Sequence, residues 1–273
     1  LGTGVLLFLG VVLAVCVFIA VSHAEVIALR VGEPFGSLIL AAAVTIIEVG
    51  MIIVLVIENP DKTQNLARDT VFAAIMITTG AILGASIVIK SLRLKFSTFN
   101  PEGAVPALAA IASLSVLSLV LPSFTTSTPG PTFNDTQLVF AAVTSLVIYL
   151  TFVLMQTVRH RDFFLPPPRA NAPTSANSHF KSPTSTQAIY SLVGLVASLV
   201  AVVGLAKVTS PLIQDTVSTF GLPQMVVALS IALIVLLPES ISALKAAAYG
   251  RTQTSINLAL GSALASIGMT IPA

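Results

Sequence analysis

The sequence has no tryptophan, a single cysteine, and charge on only 9% of its 273 residues. Each shortage removes a class of protein. One cysteine, Cys16, can build neither an internal disulfide nor a thiolate metal site. Soluble domains place charge on about a quarter of their residues, so a chain this poor in charge cannot cover a water-facing surface. The lack of tryptophan thins the aromatic belt that often marks membrane interfaces. No loop combines a dense basic run with aromatics, so the net charge of +2 and pI of 8.9 do not make a nucleic-acid binder.

What is present is apolar. Hydrophobic residues make up 55% of the chain and the mean hydropathy is +0.99. They fall in eight blocks, near 4–22, 37–57, 70–89, 104–121, 137–158, 187–206, 223–244 and 254–273. A membrane-crossing helix needs about 20 such residues. The runs are continuous, without the alternation of a barrel strand, and only helices and barrels satisfy their backbone in lipid. The pattern predicts an all-α polytopic membrane protein of about eight transmembrane helices. The first block has no basic leader, the first Lys or Arg being Arg30, and so is not read as a signal peptide. The start at Leu1 and the stop in apolar Ile271-Pro272-Ala273 lead us to expect further chain at both ends.

The loops at 23–36, 90–103, 159–186 and 245–253 hold ten Lys and Arg, and the three between them hold three. The positive-inside rule places the richer set in the cytoplasm. The loop 159–186, with Pro166-Pro167-Pro168 among Ser, Thr and Asn, reads as a flexible cytoplasmic linker. It separates a first bundle, 1–158, from a second, 187–273.

Nine of the eleven acids fall in loops or at block edges. Glu48 and Glu239 lie inside blocks. An ionisable group at mid-membrane costs about 2.5–3.5 kcal/mol on insertion scales, so such acids default to functional sites. Five crossings separate the two, so their helices run in opposite directions, the pattern of an inverted repeat with a midplane site. Pro238 cannot donate to the carbonyl of Ile234, which frees an oxygen that could ligate a cation. Thr45, Ser240 and Ser242 flank the acids; Thr78, Thr79, Ser262, Ser266 and Thr270 lie on neighbouring helices. Packing by small residues explains most of these. Asn257 is the exception, because an amide at membrane depth needs a partner. His23, His160 and His179 read as solvated loop residues.

Two ionised glutamates match one divalent cation. Calcium takes six to eight oxygen ligands, and no buried His, Lys or Arg in this reading favours zinc or an anion. Such a pair can hold protons or a cation but not both, which couples the two fluxes if the site opens to one side at a time. An intramembrane enzyme is disfavoured: there is no buried His or Cys-His pair. A scaffold in which the acids merely join helices is the other alternative.

At these residues the chain resembles the ChaA-type calcium/sodium:proton antiporters of bacteria, within the cation/calcium exchanger superfamily. The markers are His23-Ala24-Glu25-Val26, Arg30 to Leu40, Ile47-Glu48-Val49, Arg68-Asp69-Thr70, Pro238-Glu239, Ala243-Leu244-Lys245-Ala246, Asn257-Leu258 and Gly261-Ser262. The resemblance implies an inverted-repeat exchanger fold of roughly eleven helices, with Glu48 and Glu239 as the two repeat acids, binding the cation and the proton. It implies that Asp69 and Thr70 play in the first repeat the part of Asn257 in the second, at a different spacing from the acid. Broader relatives carry Asn three residues before each acid; here Thr45 and Leu236 stand there, which weakens strict calcium selectivity. The expected partners are the lipid bilayer of a bacterial inner membrane and transported Ca²⁺, Na⁺ or K⁺ and H⁺, with no resident cofactor. A monovalent Na⁺/H⁺ or K⁺/H⁺ antiporter is the alternative.

Overall fold

A computed structural model describes residues 3–32, 35–58, 65–94, 99–165, 183–223 and 225–272. Glu33, Pro34, Asp61, Lys62, Lys95 and the linker from 166 to 182, His179 included, lie outside the described residues.

Every regular element among the described residues is helical. α1 is Thr3–Val31, α2 Phe35–Glu58, α3 Leu66–Ile75, α4 Leu83–Leu94, α5 Pro101–Ser115, α6 Asp135–Leu154, α7 Ser185–Thr219, α8 Met225–Ala248 and α9 Thr252–Thr270. The π-helical turns Met76–Ile82 join α3 and α4 into one rod. There Thr78 and Thr79 donate back to Ala74 and Ile75, the local competition that widens a helix. Asn134 and Thr184 open α6 and α7 with reciprocal capping boxes to Gln137 and Gln187.

Among the described residues seven rods are long and apolar enough to cross a membrane. Their outward residues are mostly apolar; α6 turns Val139, Val143, Leu150 and Leu154 outward. This is a multi-pass integral membrane protein. The eighth rod, α9, is 19 residues long and carries Gln253, Asn257, Ser262 and Ser266. It can be this polar because it is sheathed by α2, α5, α6 and α8 rather than by lipid.

The blocks read from apolar runs are too short at several ends. α1 continues past His23 and Glu25, so neither is a loop residue, and Lys90 belongs to α4. α7 runs 35 residues, roughly 52 Å and longer than a bilayer core, and includes Lys207 and Asp215. Apolar runs stop at the first polar residue, whereas these helix ends continue against neighbouring helices. His23 stands so close to Gly194 of α7 that a β-carbon there would collide with the imidazole.

Two apolar cores hold the bundle. One joins Val17 of α1, Ile47 of α2, Val202 of α7 and Val235 of α8, with Cys16 packed beside it. The other joins Val71 of α3, Leu114 of α5, Phe152 of α6 and Leu264 of α9. Both draw on helices from either side of the linker, so packing crosses it.

Polar contacts gather at one end. Arg30 at the end of α1 donates to Ser185 at the start of α7 (3.0 Å). Lys90 near the end of α4 donates to Thr252 Oγ1 (2.6 Å) and to the carbonyl of Gly250 (3.2 Å), in the turn between α8 and α9. The Asn100 amide at the start of α5 donates to Gln253 (2.7 Å). Arg159, Lys245 and Arg251 belong to the same ends, so this is the basic end. α2 starts here and α8 finishes here, so the helices of Glu48 and Glu239 run in opposite directions, as the count of crossings predicts.

Candidate cation site

α2 is sided. Leu40, Val44, Ile47, Met51 and Leu55 face inward while Ile46, Ile53 and Ile57 face outward. That stripe carries Glu48 to the interior, where it is 2% exposed. On α8 the inward face of Ile231, Val235, Pro238 and Ala246 does the same for Glu239, which is 5% exposed.

Both acids end on α9. The Ser266 hydroxyl lies 2.7 and 2.9 Å from the two oxygens of Glu48. The Ser262 hydroxyl donates to Glu239 Oε2 at 2.5 Å. Residues four apart on a helix share a face, separated by roughly one turn, about 6 Å. One helix therefore holds two carboxyls from antiparallel partners on successive turns.

Beside Glu239 is a cavity of about 30 Å³, room for a water molecule, lined by Asn257, Ser262, Tyr149, Phe152 and Gln156 among others. Asn257 donates to the carbonyl of Phe164 (2.6 Å) and accepts from Gln253 (3.0 Å), so the amide has the partners its depth demands. Phe164 packs edge-on against Phe152 at 5.6 Å. The short turn after α6 thus packs against two residues that line the cavity.

Not every sequence-predicted residue joins the pair. Thr45 is buried, but its hydroxyl donates to Ala41, as Thr70 donates to Leu66. Asp69 lies in the first turn of α3, 3.6 Å from Arg68. Ile234 packs against the first apolar core, with Pro238 one turn on. Ser266 is the residue assigned to packing that turns out to hold an acid; its spacing of four from Ser262 was the available signal. Lys90 is buried, contrary to its loop assignment, but it serves the turn between α8 and α9 and not the glutamates. Among the described residues no three His, Cys, Asp or Glu converge. A cation here would need hydroxyl, carbonyl or water oxygens besides the two carboxylates.

A multi-pass helical bundle with two buried acids meeting on one helix is the architecture of a membrane cation carrier. The model of the sodium/calcium exchanger protein family matches residues 1–158 and 190–273, and the chain belongs to that family. It is 44% identical over 256 residues to y4hA of Sinorhizobium fredii, named as an ionic transporter, covering 94% of this chain and 68% of that one. It is 32% identical over 255 residues to the sodium-potassium/proton antiporter ChaA of Escherichia coli, covering 93% and 68%. In fold it is similar to native YfkE, with a TM-score of 0.70 at 16% identity over 98% of this chain and 72% of that one. The H⁺/Ca²⁺ exchanger CAX gives 0.72 at 14% identity over 97% and 65%. The ChaA-type resemblance and the exchanger fold are therefore borne out.

Proposed function

We propose that the protein exchanges a cation for H⁺ across a bacterial inner membrane, with Glu48 and Glu239 as the shared binding groups. The observation that carries this reading is the pair of buried carboxyls held by Ser262 and Ser266 on successive turns of α9. Among the described residues neither acid has a buried basic partner, so a proton or a cation must neutralise it, because an isolated buried charge is too costly. Protons and cation compete for the same oxygens, and that competition couples their movements. Asn257, which lines the cavity, and the Ser262 hydroxyl supply further oxygens. The Thr45 and Thr70 hydroxyls donate to Ala41 and Leu66 and Asp69 faces Arg68, contacts that leave oxygen lone pairs on all three. The antiparallel course of α2 and α8 supports two inverted halves and alternating access.

Two carboxylates suit Ca²⁺, the cation named for the similar CAX structure. A Na⁺/H⁺ or K⁺/H⁺ exchanger is favoured by the name of the E. coli relative and by the absence of a third acid among the described residues. The test is proton flux in proteoliposomes driven by each cation in turn. Saturable flux with one or more cations, lost in both Glu48→Gln and Glu239→Gln, is the expected result. Flux retained in either variant refutes the shared site.

A further inference from the structure

Glu25 is a half-buried acid that the paired site does not use. It sits on α1, two residues from His23. Two residues are about 200° of helix, so the two point to opposite sides: His23 against Gly194 of α7, Glu25 toward α8. There the Ser242 hydroxyl donates to Glu25 Oε1 at 3.3 Å. Ser242 lies three residues beyond Glu239, one turn nearer the basic end and on the same face of α8. The order along that face is thus Glu239, buried, and then Glu25, half-exposed and about 5 Å further along the helix axis.

The charges nearby give this order a meaning. On α1 the neighbours are His23 and the exposed Arg30; on α8 they are Glu239 and Lys245; on α2, Glu48 lies deeper. Lys90 and Arg251 share the same end. A cation approaching Glu239 from here meets mostly positive charge. Of the other described acids at this end, Glu102 and Asp162 are exposed, and Asp162 is in the short 3-10 helix Arg161–Phe164. Glu25 is the one in contact with the helix of Glu239.

We propose that Glu25 is a way station for the exchanged cation and proton between the basic end and Glu239, with Ser242 positioning its carboxylate. The idea rests on the antiport reading. Its effect is one-sided, because the path from the opposite end does not pass Glu25.

The test is exchange in proteoliposomes of defined orientation, with the cation supplied from either side. Glu25→Gln should raise the half-saturating cation concentration about tenfold from the basic side, as loss of local charge focusing predicts, and leave the opposite side within about twofold. Glu25→Asp should restore much of the loss; Ser242→Ala should show a smaller, equally one-sided shift. Glu102→Gln, an exposed acid at the same end, should change neither side. If Glu25→Gln fails to insert, Glu25→Asp and Ser242→Ala carry the same one-sided comparison. An equal change from both sides, or none, overturns the way station alone. Wild-type protein without exchange overturns the antiport reading and the way station with it.

Discussion

Glu48 and Glu239 occupy matching positions on oppositely directed helices, and each rests on a serine of α9, yet their surroundings differ. Glu48 is buried on the same inward face of α2 as Val44 and Met51 and accepts from Ser266. Glu239 opens onto a small cavity that Asn257 also lines, and Asn257 is tied in turn to the carbonyl of Phe164. Equal chemistry is therefore set in unequal space. Glu239 lines the cavity, with room there for a water-sized guest, and Glu48 is not among the residues that line it.

The comparison can be broken first by removing the acids. Glu239→Gln and Glu48→Gln should each abolish cation-driven proton flux in proteoliposomes; survival of flux in one alone would make the two acids unequal in role as well as in space. Removing the serines is the next largest change. A hydrogen bond to a charged group is worth about 1.5–3 kcal/mol, so Ser262→Ala and Ser266→Ala should each weaken apparent cation affinity roughly tenfold or more, measured from the cation dependence of flux. Carbodiimide reactivity tests the difference in space directly. Glu239, beside the cavity, should be modified several-fold faster than Glu48 and be protected by the transported cation, as peptide mass mapping would show. The smallest effect concerns the frame. A β-carbon at Gly268 would press on Tyr149 of α6; Gly268→Leu should cost about 1–3 kcal/mol by overpacking, read as a lower melting temperature in detergent, with Gly84→Ala, which meets open space, as the control.

Much of this was legible before any coordinates. Glu48 and Glu239 stood out because a carboxylate inside an apolar run has few excuses, and the opposite course of their helices followed from counting crossings. Asn257 was legible for the same reason. What escaped were residues whose meaning depends on a neighbour. Ser266 looks like any small residue at a helix contact until Glu48 is placed against it. His23 and Glu25 looked like loop because hydropathy drops there, but α7 and α8 supply the surroundings that lipid would not. Lys90 looked solvated because a lone lysine is usually so; only the fold shows the α8–α9 turn accepting its ammonium. α9 was counted as one more apolar block, and what that count does not show is that its polar residues face other helices rather than lipid.

The turn between α8 and α9 has a wider consequence. Gly250, with φ of 76°, permits a reversal that few other residues tolerate, and Lys90 clamps it. Glu239 stands eleven positions before Gly250 and Ser262 twelve after, so the two strokes of this hairpin work like a folding rule whose marks coincide when it is shut. Adding a single residue to either stroke would swing everything beyond it by about 100° and part the marks. Divergence in this lineage should therefore be free to repaint the outer faces of α8 and α9 but not to change the number of residues between the hinge and the acid.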